Sequence, residues 1–133
     1  MRTIAHLAAG CCMFLPAPAI AAEMSAAEIK ELIAGKSVYL ELAATAAAGA
    51  GQGVIYYNAD GTALYRTAKG VMWHGTWAIK DNTVCIDWKE APNNACTRYD
   101  KEGDTISIIN VATGQARGKV MKTAPGNAEN LAP

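Results

Sequence analysis

From Lys36 onward, apolar, β-branched and aromatic residues alternate with polar ones at period two. Turn chemistry interrupts the alternation roughly every eight to twelve residues, the signature of short strands joined by hairpins. Eight segments carry the pattern: residues 37–42, 53–58, 62–67, 71–79, 83–88, 95–99, 105–111 and 115–122. Their connectors are Asp60-Gly61, Lys69-Gly70, Asp81-Asn82, Lys101-Glu102-Gly103 and Thr113-Gly114, most of them hairpin-sized. Short connectors force sequential strands to pair as antiparallel neighbours. The expected fold is therefore all-β, an eight-stranded up-and-down meander. Closing it removes the edges that an open meander exposes, so a closed or half-open barrel is the first expectation and a two-sheet sandwich the second. Residues 43–52 break the pattern with an Ala/Gly stretch that offers few side chains to pack. They read as a flexible surface insertion, with a lid over a barrel mouth as the alternative.

Ahead of the strands, Ser25-Ala26-Ala27-Glu28 spells a capping box, followed by Ile29, Leu32 and Ile33 at helical spacing and by Gly35. One short N-terminal helix is expected there. Further upstream, Arg2 precedes an acid-free and mostly apolar run, and Ala19 and Ala21 stand as in an A-x-A cleavage site. Residues 1–21 read as a secretory signal. Pro16 and Pro18 interrupt the run, which falls short of the ~20 apolar residues a membrane span needs. Removing 21 of the 133 residues leaves 112, residues 22–133, enough for one domain. The expected location is the periplasm or cell exterior, with no integral membrane span after cleavage.

The whole chain has zero formal charge, and its charges are scattered singly. That pattern gives no footprint for nucleic acid. Of the four cysteines, Cys11 and Cys12 depart with the signal, leaving Cys85 and Cys96. An isolated pair in an oxidising compartment is most simply a disulfide. Direct opposition of these two sets residue 84 against 97, 86 against 95 and 88 against 93, with residues 89–92 as the turn. Asp87 and Arg98 then share the cysteines' face within reach of diagonal attraction.

In residues 71–79 the apolar side carries Val71, Trp73, Trp77 and Ile79, and the other side Met72 and His74. Tyr56, Tyr57, Tyr65, Trp73, Trp77 and Trp88 lie on strands expected to be neighbours. Aromatic filling of an eight-stranded interior is one reading. The other is an apolar ligand pocket, for which Tyr56, Tyr65, Trp73, Trp77 and Trp88 are the candidates. Metal binding would have to use His74 with Met72 and Met121, short of the ligands a closed site needs. Neither a serine elbow, nor a carboxylate pair, nor a C-x-x-C redox motif is present, so no cofactor and no catalytic residue is assigned.

Several motifs together resemble a family of small secreted alphaproteobacterial proteins known as a domain of unknown function. They are Gly35-Lys36-Ser37-Val38, the hairpin Asn58-Ala59-Asp60-Gly61-Thr62, Gly75-Thr76-Trp77, Asp81-Asn82-Thr83-Val84-Cys85-Ile86-Asp87-Trp88, Cys96-Thr97-Arg98-Tyr99 and Gly126-Asn127. The resemblance implies a secreted, disulfide-bearing barrel of lipocalin-like shape and transfers no catalytic residue. The expected role is non-enzymatic binding. The partner would be a small hydrophobic molecule inside the barrel, or a protein or envelope component gripped by loops such as 43–52 and 89–94, in the manner of an inhibitor of an envelope enzyme.

Overall fold

Turn residues set the topology. The structure, a computed structural model, describes residues 13–18, 20–91 and 94–133. Most of the expected signal segment, with Cys11, Cys12 and Ala19, lies outside the described residues, as do residues 92 and 93 of the expected turn. The elements in chain order are β1 (Ala22–Glu23), α1 (Ala26–Ile33), β2 (Lys36–Leu42), β3 (Gly51–Tyr57), β4 (Thr62–Arg66), β5 (Met72–Lys80), β6 (Thr83–Trp88), β7 (Cys96–Glu102), β8 (Thr105–Asn110) and β9 (Ala116–Pro125). Strands β2 to β9 each pair antiparallel with the next, and β9 returns to β2. The eight expected strands thus close into a barrel.

β1 was not legible as a strand. Two residues carry no period, and β1 pairs with β7 because β6 begins only at Thr83 and leaves the far part of β7 uncovered: among the described residues β6 meets β7 at Val84↔Thr97 and Cys85↔Cys96. Ala22 and Glu23 then continue the ladder beside Lys101 and Asp100. The Met24 N–H donates to the Tyr99 carbonyl at 2.8 Å, and the Ala26 N–H to Asn82 Oδ1 at 2.9 Å. A second boundary also shifts. Lys101 and Glu102 pair with Ile106 and Thr105, so they belong to β7 and the turn is tighter than Lys101-Glu102-Gly103 suggested.

The capping box forms as its spelling requires, with the Ser25 hydroxyl accepting from the Glu28 N–H and the Glu28 carboxylate from the Ser25 N–H. α1 inserts Ile29 and Ile33, both fully buried, into one end of the barrel. Val38, Leu40, Ile55, Tyr57, Val84, Tyr99 and Ile108 continue this core through the interior.

On the outside of β2 and β3 the tail from Gly126 to Leu131 lies as a strap. The buried Ser37 hydroxyl donates to the Gly126 carbonyl at 2.7 Å and accepts from the Ala128 N–H at 3.0 Å. Glu129 receives the Tyr39 hydroxyl at 2.7 Å and pairs with Arg66 at 3.3 Å. Together these contacts explain why Ser37, on the strand's outer side, is buried.

β9 carries two irregularities. Tyr39 faces Lys122 and Leu40 faces Val120, which leaves Met121 unpaired against β2; Ile108 faces Gly118 and Ile109 faces Ala116, which leaves Arg117 unpaired against β8. Bulges of this kind re-aim a side chain. Gly118 is required beside the second one: its φ is +152°, and a Cβ there would strike the backbone of Glu41 and Leu42.

Candidate functional site

The end of the barrel opposite α1 keeps an interior cavity of about 70 Å3. That is room for a few water-sized groups, left over because the aromatic side chains stop short of filling the mouth. Its aliphatic lining is formed by Leu40, Leu42, Ile55, Val84, Ile86 and Ile108, and Trp73 and Trp88 line it as well. Over it lie Ala46, Ala47 and Ala48 from the segment joining β2 to β3, with Ala91 and Ala95 from the β6–β7 connection. The Ala/Gly stretch therefore sits over the mouth and is no mere outward insertion, and its last two expected residues, Gly51 and Gln52, belong to β3. It is tied down beside Arg117: the Ala43 N–H donates to the Arg117 carbonyl at 2.8 Å and the Thr45 hydroxyl to the Ala116 carbonyl at 2.8 Å.

Two glycines make space for the aromatic wall. A Cβ on Gly53 would stand 2.7 Å from Tyr65 Cε2, and one on Gly75 would stand 2.8 Å from Trp88 Cε3. With those positions open, Tyr65 packs edge-on against Trp73 at a centroid distance of 5.5 Å and tilted against Trp88 at 5.6 Å.

The polar lining comes from Tyr57, Tyr65, Tyr99, Thr97 and Arg117. Tyr57 and Tyr99 bring their buried hydroxyls to 3.3 Å of each other. The Tyr65 hydroxyl is buried and has no hydrogen-bond partner among the described residues. Arg117, half-buried, donates from one terminal nitrogen to the Thr97 hydroxyl at 3.2 Å. The ion pairs among the described residues are Arg66–Glu129, His74–Glu90 and Arg98–Asp100, so Arg117 has no carboxylate partner in that set. Burial raises the pKa of all three phenols, that of Tyr65 to about 12, while the positive charge of Arg117 pulls each of them the other way. They are neutral hydrogen-bond donors at physiological pH.

Of the pocket candidates from the sequence, Tyr65, Trp73 and Trp88 meet in the cavity wall. Trp77 points inward but lies deeper, edge-on to Tyr57 at 5.7 Å with its indole N–H donating to the Asn58 carbonyl at 2.8 Å. Tyr56 is a correction. It pairs with Ser37 and Leu64, on the outer side, and its neighbour Tyr57 takes the interior position. Tyr57 and Tyr99 were available from strand parity, and Thr97 from the register fixed by Val84. Arg117 carried no such signal, since a bulge cancels the alternation it would be read from.

The Cys85–Cys96 disulfide is formed between directly opposed residues. Arg98 does not turn to Asp87; it makes a two-pronged contact with Asp100, two residues along the same strand, at 2.7 and 2.9 Å. A neighbour on the same face of one strand reaches the fork better than a diagonal one. His74 lies on the outer side of β5, as Met72 does, and faces a carboxylate: its Nδ1 stands 2.7 Å from Glu90 Oε1 while its backbone N–H donates to Glu90 Oε2 at 2.7 Å. Met121 is half-exposed at its bulge. Among the described residues no three His, Cys, Asp or Glu side chains converge on a metal position. No family model matches the chain, nor does any curated protein or solved structure.

Proposed function

We propose that the protein is an exported binding protein that takes a small ligand into the mouth of its barrel and performs no chemistry on it. The observation that carries this reading is the cavity itself, lined by aliphatic and aromatic side chains with a few polar ones and covered by an alanine-rich segment. Binding sites combine an apolar lining with a few placed polar groups in this way. Phenols held neutral by burial and a lone guanidinium orient a ligand and make poor nucleophiles or bases. At about 70 Å3 the space suits a group of a few heavy atoms, so a long hydrophobic cargo is the weaker version.

Export is part of the same proposal. Met13, Phe14, Leu15 and Ile20 are 85–96% exposed and pack on nothing in the barrel, as befits a segment that is removed. A disulfide suits an oxidising compartment. The resemblance to the small secreted alphaproteobacterial family belongs to this reading too, and it brings no catalytic residue with it.

Native mass spectrometry of the protein, purified without denaturation from the cells that export it, tests the reading. A low-mass ligand that leaves on unfolding is the expected result. Protein that is uniformly ligand-free, and whose tryptophan emission ignores a panel of small molecules, would overturn it.

A further inference from the structure

The polar groups around the cavity are donors in excess. Arg117 carries five N–H hydrogens and uses one of them on Thr97. Tyr57 and Tyr99 have two hydroxyl hydrogens and one contact between them, so one hydrogen is left to give. The Tyr65 hydroxyl is buried and unpartnered among the described residues. Among the described residues no aspartate or glutamate lines the cavity. A partly buried cation without a counter-charge and a buried hydroxyl without an acceptor both cost free energy. What would relieve both is a group that accepts several hydrogen bonds, donates none and carries one negative charge.

Water does not meet that description, because each water brings two further hydrogens. An ionised carboxylate does, offering about four lone-pair sites and no donor, in a plane that matches the guanidinium fork. A doubly charged phosphate would leave its second charge unmatched against a single cation in a half-buried site. Resting on the reading of the mouth as a ligand pocket, we propose that the cavity binds a small monocarboxylate. Arg117 and the Tyr65 hydroxyl receive the carboxylate, and its short aliphatic remainder lies along Trp73 and Trp88.

Titration of the mature, disulfide-intact protein with propionate and butyrate, against propionamide and butyramide, tests this through tryptophan emission and calorimetry. The carboxylates are expected to bind at least about tenfold more tightly than the isosteric amides, since only they pair with the half-buried charge of Arg117. Arg117→Met should reduce carboxylate affinity by a similar factor and leave the amides unaffected. Tyr65→Phe separates binding from folding. It deletes a hydroxyl that has no partner among the described residues, so the ligand-free melting temperature should hold or rise while carboxylate affinity falls. Amides that bind as well as carboxylates, or unchanged carboxylate affinity in both variants, would overturn the carboxylate assignment and leave the pocket standing. Failure of all four probes to bind would overturn the pocket and the assignment together.

Discussion

Cys85 and Cys96 face each other with their Cα atoms 4.1 Å apart, in one of the two residue pairs that join β6 to β7 among the described residues. Every other neighbouring pair of barrel strands shares four or more. The bridge is therefore a covalent staple across the seam with the fewest hydrogen bonds, and it closes the connection that supplies Ala91 and Ala95 to the mouth. Replacing both cysteines by alanine should lower stability by roughly 2–3 kcal/mol, the chain-entropy value for a loop of about this size. Urea unfolding reads the loss, and hydrogen exchange should place the earliest opening in β6 and β7. An unchanged midpoint would show that the seam holds without its staple.

The strap over β2 depends on Ser37. Its hydroxyl is fully buried, donating to Gly126 and accepting from Ala128. Ser37→Ala removes one partner from each of two backbone groups, and a buried group left unsatisfied costs about 1–3 kcal/mol. The urea midpoint should fall with the slope of the transition unchanged. A wild-type midpoint would mean that water replaces the hydroxyl without loss and that the tail is not anchored there.

The barrel was legible because hairpin chemistry and period-two alternation act locally, and short turns leave a meander little choice of neighbour. The capping box and the disulfide register were legible for the same reason: Ser25 and Glu28 lie three residues apart, and opposing Cys85 to Cys96 fixes Val84 against Thr97. The site was less so. Tyr56 and Tyr57 are adjacent aromatics, and a shift of one residue exchanges core for surface. Arg117 owes its place to a bulge on β9, a break in the pattern from which inward-facing positions are read. β1 and the Gly126–Leu131 strap are set by tertiary neighbours, and two or six residues carry no period that would announce them.

Two glycines separate space needed by backbone from space needed by side chain. A Cβ on Gly75 would meet the carbonyl oxygen of Asp87 on the neighbouring strand as well as Trp88, and the carbonyl cannot turn away without breaking the β5–β6 ladder. Gly75→Ala should destabilise by about 1–3 kcal/mol, as overpacking does. On Gly53 the nearest atoms belong to the Tyr65 ring, with the Arg66 carbonyl at 3.1 Å. Gly53→Ala should therefore act mainly by displacing that ring from Trp73 and Trp88, changing tryptophan emission more than it lowers the melting temperature. If Gly53→Ala proved the more destabilising of the two, the room for Tyr65 would be a packing requirement of the whole barrel.

Glu90 ties the outer side of β5 to the start of the β6–β7 connection. Hydrogen bonds from the His74 side chain and backbone N–H hold its carboxyl below the ordinary value of 4.5. A carboxyl depressed in this way favours the folded arrangement above its unfolded-state pKa, and the contribution disappears as the pH falls through the lower, folded-state value. The tie should hold at neutral pH and loosen in acid, below the usual carboxylate range. The Lys89 amide reports on it, since it donates to the His74 carbonyl at 2.9 Å. After correction for intrinsic exchange rates, its protection should drop in acid in the wild-type protein. In Glu90→Gln it should be lower at neutral pH and flat across the same range. Equal protection in the two proteins at neutral pH would mean that the connection beside the mouth is held by the barrel alone and owes nothing to this pair.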